Sequence, residues 1–305
     1  MKGEVLKSTG SWYDVLAEDS KTYQCRTRGK LRLKGFKTTN PIAVGDQVDI
    51  TLENDTEGVI TEILPRENYI IRKSVKQKSH GHILAANLDQ AVLIVTLAYP
   101  KTSLGFIDRF LVSAESFRIP QIIIFNKVDL VSEEDQDLLD GIIDIYETIG
   151  IQCLKVSALN NENLDAVLNA LRGKKSLLSG HSGVGKSTLL NKIAPHIDQK
   201  TGAISDFAKK GVHTTTFAEM FEIEKDTFVI DTPGIKELGI IDIEKEELSD
   251  YFPEMRDLQT ECKFYNCTHT HEPKCAVLAA VEDGEISESR YISYLSILEG
   301  DDNRR

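Results

Sequence analysis

Residues 180 to 187 read Gly-His-Ser-Gly-Val-Gly-Lys-Ser, a spacing suited to wrapping a polyphosphate. Gly180, Gly183 and Gly185 let the backbone close around phosphate oxygens. The amides of His181, Ser182 and Val184, with the N-terminus of a following helix, then face the anion. Lys186 is suited to reach the β- and γ-phosphates, and Ser187, followed by Thr188, to ligate Mg²⁺. An apolar strand through Leu178 and Ser179 enters this loop, and Leu189-Leu190 open an apolar helix after it. That is the context a phosphate-binding loop demands.

A phosphate loop does not choose a base. Asn126-Lys127-Val128-Asp129, at the end of the apolar run Ile122 to Phe125, resembles the guanine-reading motif of GTPases. The Asp129 carboxylate can accept from the N1 and N2 donors of guanine, a pattern adenine cannot offer. Asn126 braces the loop, and the Lys127 stem lies over the nucleotide. Ser157-Ala158, after the strand ending at Val156, resembles the element whose backbone amide meets guanine O6. Asp231-Thr232-Pro233-Gly234 resembles the second switch of these enzymes, with Asp231 near Mg²⁺ through water and the Gly234 amide on the γ-phosphate. Between lies Lys209 to Thr216, where a threonine closes on Mg²⁺ and γ-phosphate; Thr215 is favoured, with Thr214 beside it.

These motifs stand in permuted order, because Asn126 to Asp129 and Ser157-Ala158 precede Gly180. They can still converge, since nucleotide contacts sit at the carboxyl ends of parallel strands and permutation only moves the termini.

The elements that must position them fall into three segments. Residues 1 to 68 alternate apolar and polar in short runs broken by Gly29, Gly35, Asn40-Pro41 and Gly45-Asp46, predicting a small OB-like antiparallel β-barrel. An SH3-like barrel would give much the same pattern. Residues 69 to 240 alternate apolar runs (Ala91 to Leu97, Gln121 to Phe125, Cys153 to Val156, Ser176 to Leu178, Phe228 to Ile230) with helical stretches, predicting an α/β domain with a mostly parallel sheet covered on both faces. Residues 241 to 305 carry helical stretches at Val277 to Val281 and Tyr291 to Leu298.

Composition bounds the partners. The 305-residue chain is 41% apolar with a net charge of −12, unevenly spread. Seven basic residues and no acid lie from Lys21 to Lys37, and Arg66, Arg72, Lys73, Lys76 and Lys78 follow, so the N-terminal part can present a basic face to RNA. From Asp242 onward sixteen Asp and Glu oppose seven Lys and Arg. Contacts there should be sparse and specific, or made to protein. No apolar run approaches a membrane span and Met1 to Trp12 lacks a signal peptide's apolar stretch, so the expectation is a cytoplasmic protein with no membrane partner. Nothing suggests a dedicated dimerisation element, and a monomer is expected. Three of five cysteines, Cys262, Cys267 and Cys275, lie close together near His269 and His271, which favours a metal site over disulfides.

Permuted GTPase motifs, a preceding small barrel and a following cysteine-rich segment resemble the ribosome small-subunit-dependent GTPase family (RsgA, YjeQ) across nearly the whole chain. The resemblance implies a factor acting late in maturation of the 30S ribosomal subunit, binding its rRNA, with GTP hydrolysis to GDP stimulated by that particle. It also selects His269 over His271, giving a closed Zn²⁺ site of Cys262, Cys267, His269 and Cys275 in a helical zinc-binding domain. Where many GTPases orient the attacking water with a glutamine after the second switch, this chain has Ile235. His213 is the candidate for that task, and Val212 stands where family members often have arginine.

Overall fold

The computed structural model describes residues 1–27, 41–73, 81–198, 218–231 and 243–300. Strands β1 (Lys2–Ser8), β2 (Tyr13–Ala17), β3 (Thr22–Thr27), β4 (Gln47–Leu52) and β5 (Glu57–Ile63) form the N-terminal unit. Alternation along them turns Val5, Tyr13, Val15, Tyr23, Cys25, Val48, Ile50 and Ile60 into one core. The order β1-β2-β3-β5-β4 closes because β4 also pairs β1, which removes the open edges and gives the five-stranded barrel of OB type.

A two-stranded ribbon, β6 (Tyr69–Lys73) and β7 (Gly81–Ala86), leads into the second unit. There β8 (Gln90–Val95), β9 (Gln121–Asn126), β10 (Gln152–Val156), β11 (Lys175–Ser179) and β13 (Thr227–Asp231) run parallel in the order β10-β9-β8-β11-β13. All six residues of β8 are buried, as expected for a strand covered on both faces. Helices α1 (Leu104–Glu115) and α2 (Gln136–Thr148) cover one face, through Ile107, Phe110, Leu139 and Tyr146. Helices α3 (Leu164–Leu171), α4 (Lys186–Ile193) and the short α5 (Pro195–Asp198) cover the other, through Val167, Leu190 and Ile197.

One strand escapes a reading of the sequence. Glu-Met-Phe-Glu-Ile-Glu forms β12 (Glu219–Glu224), antiparallel to β13 on one side and to barrel strand β1 on the other. Its acidic, half-apolar composition hides it from a search for buried parallel strands, because β12 lies where that sheet gives way to the barrel. The result is one eleven-stranded sheet through both units. Lys175 Nζ bridges to Glu4 Oε1 at 2.6 Å and Lys7 Nζ to Glu219 Oε2 at 2.9 Å across this junction.

The C-terminal segment holds α6 (Pro253–Arg256), α7 (Ala276–Glu282) and α8 (Glu288–Glu299). Its core of Leu248, Phe252, Met255, Val277 and Tyr294 takes in Val112 from α1. Arg290 on α8 is 1% exposed, and it donates to Asp108 of α1 at 2.8 Å and to Glu254 at 2.7 Å. Its guanidinium also lies 4.6 Å from the centre of the Phe252 ring. Among the described residues no helix is long and apolar enough to cross a membrane.

Candidate nucleotide site and metal cluster

The phosphate loop lies at the carboxyl end of β11, and Lys186 opens α4 with Gly185 as its N-cap. Gly185 has φ +92°, and a Cβ there would come within 2.3 Å of Asn126 Nδ2, so backbone shape and close approach both require glycine. Ser182 on the loop and Ser187 and Thr188 in the first turn of α4 are exposed, whereas Val184 is buried.

The base-type loop leaves the carboxyl end of β9, two strands away, and Asn126 joins the two loops. Its Nδ2 donates to the Val184 carbonyl at 2.8 Å, and its Oδ1 accepts from the Ala158 amide at 3.1 Å. A single buried amide therefore ties together three stretches that are far apart in sequence. Ser157 Oγ donates to the Asp129 carboxylate and accepts from the Asn160 amide at 3.2 Å. Asp129 itself is exposed, with its carboxylate available to an incoming base. Lys127 takes φ +62°, and its Nζ donates to the Tyr99 carbonyl at 2.7 Å. The loop between β8 and α1 thus forms a further wall. Pro100 Cδ would sit 3.4 Å from a Cβ at Gly183, and the Phe106 and His181 rings lie 3.7 Å apart.

Asp231 ends β13, and its Oδ1 stands 4.0 Å from Lys186 Nζ. Burial pushes its carboxyl up, against the pull of Lys186 downward. That Oδ1 is buried without a hydrogen-bond partner, the environment a hydrated cation beside Ser187 would satisfy. Asp231 and the Lys186-Ser187 pair therefore fit Mg²⁺ held with a nucleotide triphosphate. His213, Thr214, Thr215 and Gly234 lie outside the described residues, as do Val212 and Ile235.

Cys262, Cys267, His269 and Cys275 converge, their ligand atoms all within 4.8 Å of one another. His269 Nδ1 is 3.3 Å from Cys275 Sγ and 3.7 Å from Cys262 Sγ. His269 has φ +55°, which supplies the turn needed to present a ligand only two residues after Cys267. His271 is exposed and pairs instead with Thr270. Burial pushes the Cys267 thiol up to about 12 and the His269 imidazole down, so this pocket resists charge unless a cation compensates it. A soft cation with tetrahedral preference fits three thiolates and an imidazole.

One basic residue needs correction. Arg66 is not part of a free basic face, because its guanidinium donates to both oxygens of the fully buried Asp46, at 2.5 and 2.6 Å, and to the Pro41 carbonyl. Of the run from Lys21 to Lys37, Lys21 and Arg26 fall among the described residues, and Arg26 pairs with Glu53 at 2.9 Å. The side chains of Arg72, Lys73, Lys76 and Lys78 are not among those described.

Comparison with known proteins agrees with this geometry. The model of the RsgA GTPase family matches residues 63–241, and that of the RsgA N-terminal domain matches residues 2–60. Two proteins called small ribosomal subunit biogenesis GTPase RsgA are close in sequence. The one from Bacteroides fragilis is 53% identical, covering 98% of this chain and 96% of that protein; the one from Phocaeicola vulgatus is 55% identical with the same coverage. The chain belongs to the RsgA GTPase family. It is accordingly a GTP hydrolase. Among solved structures, YjeQ from Thermotoga maritima superposes with a TM-score of 0.80 at 36% identity, over 100% of this chain and 99% of that one. YloQ, described as a circularly permuted GTPase, gives 0.77 at 34% identity, over 100% and 96%. RsgA membership and the strand order agree that this is a permuted GTPase fold behind a barrel.

Two parts of the site have no counterpart in the sequence reading. The Ser157 hydroxyl on Asp129 leaves no signature there, because the motif values Ser157 only for its neighbour's amide. The Tyr99-Pro100 turn carries no motif, and only folding brings it over the phosphate loop.

Proposed function

We propose that this chain acts on the small (30S) ribosomal subunit late in its maturation, binding its rRNA and hydrolysing GTP to GDP and phosphate to time its own release. The observation that carries the reading is the Asn126 bridge from a guanine-type loop to a phosphate loop, in a chain 53% identical to a protein called a small ribosomal subunit biogenesis GTPase. In this reading the protein is a cytoplasmic monomer of three units, residues 1–68, 69–240 and 241–305. The first contributes RNA contacts.

Asp129 selects guanine, the Ala158 amide meets its O6 on exchanging Asn126 Oδ1 for it, and Lys127 and Val128 complete the base loop. The amides from Gly180 to Gly185 would bind phosphate, Lys186 would neutralise the β- and γ-oxygens, and Ser187 and Thr215, with Asp231 nearby, would hold Mg²⁺. Mg²⁺ supplies charge neutralisation on the transferring phosphoryl group. His213 positions the attacking water. Zn²⁺ on Cys262, Cys267, His269 and Cys275 is structural, since four protein ligands leave no open position.

GTP turnover by the purified protein, measured with and without purified 30S subunits and with 50S subunits and ATP as controls, tests the reading. Stimulation by 30S alone is expected. Turnover indifferent to 30S would remove the ribosomal role while leaving the GTPase. Release from 30S that proceeds normally in a His213→Ala protein would refute the timing role of hydrolysis.

A further inference from the structure

Lys127 spans the candidate nucleotide site from one loop to another. Its backbone lies in the base loop at φ +62°, its Cε would be 3.8 Å from a Cβ at Gly185 of the phosphate loop, and its Nζ donates to the Tyr99 carbonyl at 2.7 Å. That acceptor belongs to residues 96–103, the connection between β8 and α1. Tyr99 also takes a left-handed backbone, φ +49°, and its side chain is 78% exposed. A bulky residue kept in that region while its ring stays in water points to a task for its main chain.

Two buried threonines shape the connection. The Thr96 amide donates to Thr102 Oγ1 at 3.2 Å, the Thr102 amide donates to the Thr96 carbonyl at 2.9 Å, and the Thr96 hydroxyl donates to the Pro100 carbonyl. The ends of the turn are thereby pinned together. The Pro100 carbonyl is taken up inside the turn, whereas the Tyr99 carbonyl beside it goes to Lys127. Lysine is among the side chains with most rotamer freedom, and a ligand that packs on its stem must otherwise offset the cost of ordering it. An ammonium already anchored on a fixed carbonyl leaves little of that cost to the nucleotide.

We infer that Thr96 and Thr102 are positioning residues for the nucleotide: they fix the Tyr99 carbonyl so that it holds the Lys127 stem where guanine packs, and so set how long GDP and GTP stay bound. The inference rests on the guanine reading of the base loop proposed above and adds the device that readies its lysine.

The test is stopped-flow displacement of GDP bearing a fluorescent methylanthraniloyl group from the full-length protein with Mg²⁺, using unlabelled GDP, together with affinities from titration and turnover of GTP. Thr96→Val keeps the shape of the side chain and removes the hydroxyl. It should weaken GDP and GTP alike by roughly 2- to 12-fold, the worth of one preorganised side chain, mostly through faster release. KM for GTP should rise by a similar factor without a fall in kcat, because Lys127 meets the base and not the reacting phosphate. Thr96→Ser keeps the hydroxyl and should recover most of the loss. Lys127→Met keeps an apolar stem without the ammonium; it should weaken GDP by about the same factor, and adding Thr96→Val to it should change nothing further. Parent-like GDP affinity in Lys127→Met overturns the inference, whether or not Thr96→Val folds. A loss from Thr96→Val that is as large in the Lys127→Met background as in the parent also overturns it, since the turn would then act through Pro100 beside Gly183. The guanine reading is judged apart, by competition against the labelled GDP on the parent: displacement by ADP as effective as by GDP would remove that reading and the anchored lysine with it.

Discussion

Asn126 Nδ2 donates to the Val184 carbonyl at 2.8 Å, so the loop that reads the base is bonded to the loop that holds the phosphates. In Asn126→Ala the Val184 carbonyl and the Ala158 amide both lose their buried partner, at a cost of about 1–3 kcal/mol for each group left unsatisfied. We expect GTP and GDP affinity to fall together by at least about tenfold, with lowered thermal stability. Titration calorimetry and a melting curve check both. Nucleotide affinity equal to the parent's would mean that the two loops hold their positions without the bridge.

Asp129 carries the base preference, and Asp129→Asn exchanges one acceptor oxygen for a donor. Guanine N1 and N2 then face a mismatched amide, while xanthine, with a carbonyl at C2, can accept from it. GTP affinity should fall by about 100-fold and XTP should gain relative to GTP. Competition binding against labelled GDP measures the ratio. An unchanged preference for GTP would show that Ser157 and the Ala158 amide select the base without Asp129.

The chain's chemistry is more legible in its sequence than its mechanical joints are. The glycines and Lys186 must be contiguous to wrap phosphate, and Asp129 must follow a strand, so both leave short-range signatures. The barrel also follows from alternation, at Val48 and Ile50 among others, and β4 closes it on β1. Strand β12 does not, because its partners are β13 and β1, and a register such as Lys7 opposite Glu219 joins residues more than two hundred positions apart. Arg66 misleads for a similar reason. A basic residue looks solvated until folding brings the buried Asp46 beneath it.

Gly45 links the barrel to the GTPase unit. It has φ +86°, its amide donates to the Val5 carbonyl at 2.8 Å, its carbonyl accepts from Asn87 Nδ2 at 2.9 Å, and a Cβ would lie 2.1 Å from the Ala86 carbonyl oxygen. Gly45→Ala should therefore destabilise the junction by about 1–3 kcal/mol, since backbone must move in addition to the strain of positive φ. Chemical denaturation should show a lowered midpoint. A midpoint unchanged from the parent would show that Ala86 can move aside freely.

Metal removal should act on the C-terminal segment before the rest. Cys262, Cys267, His269 and Cys275 are placed to share one cation, so chelation, or Cys262→Ser, should remove a structural zinc, worth on the order of 10 kcal/mol to small domains. We expect protease cleavage within residues 243–300 while the barrel stays intact, and one equivalent of zinc released per chain. Preserved zinc content and melting in the Cys262 variant would contradict this.

Arg290 and Asp108 fasten that same segment to α1 by an ion pair of 2.8 Å, with side chains 2% and 0% exposed. Burial pushes the Asp108 carboxyl up, opposed by Arg290, so the carboxylate depends on its partner. Tyr146 of α2 donates to the same carboxylate at 3.0 Å, joining a third helix to the pair. In Arg290→Met, Asp108 and Glu254 lose a cation, and the cost should be about 3–5 kcal/mol, the usual penalty for breaking one side of a buried pair. Adding Asp108→Asn to that variant removes the stranded charge and should recover part of the loss. Denaturation of the parent, the single variants and the double variant gives the coupling energy. Zinc should remain bound throughout, because Arg290 does not touch the metal cluster. A double variant no more stable than Arg290→Met would show that packing of the Arg290 side chain on Phe252, 4.6 Å away, outweighs the charge it neutralises.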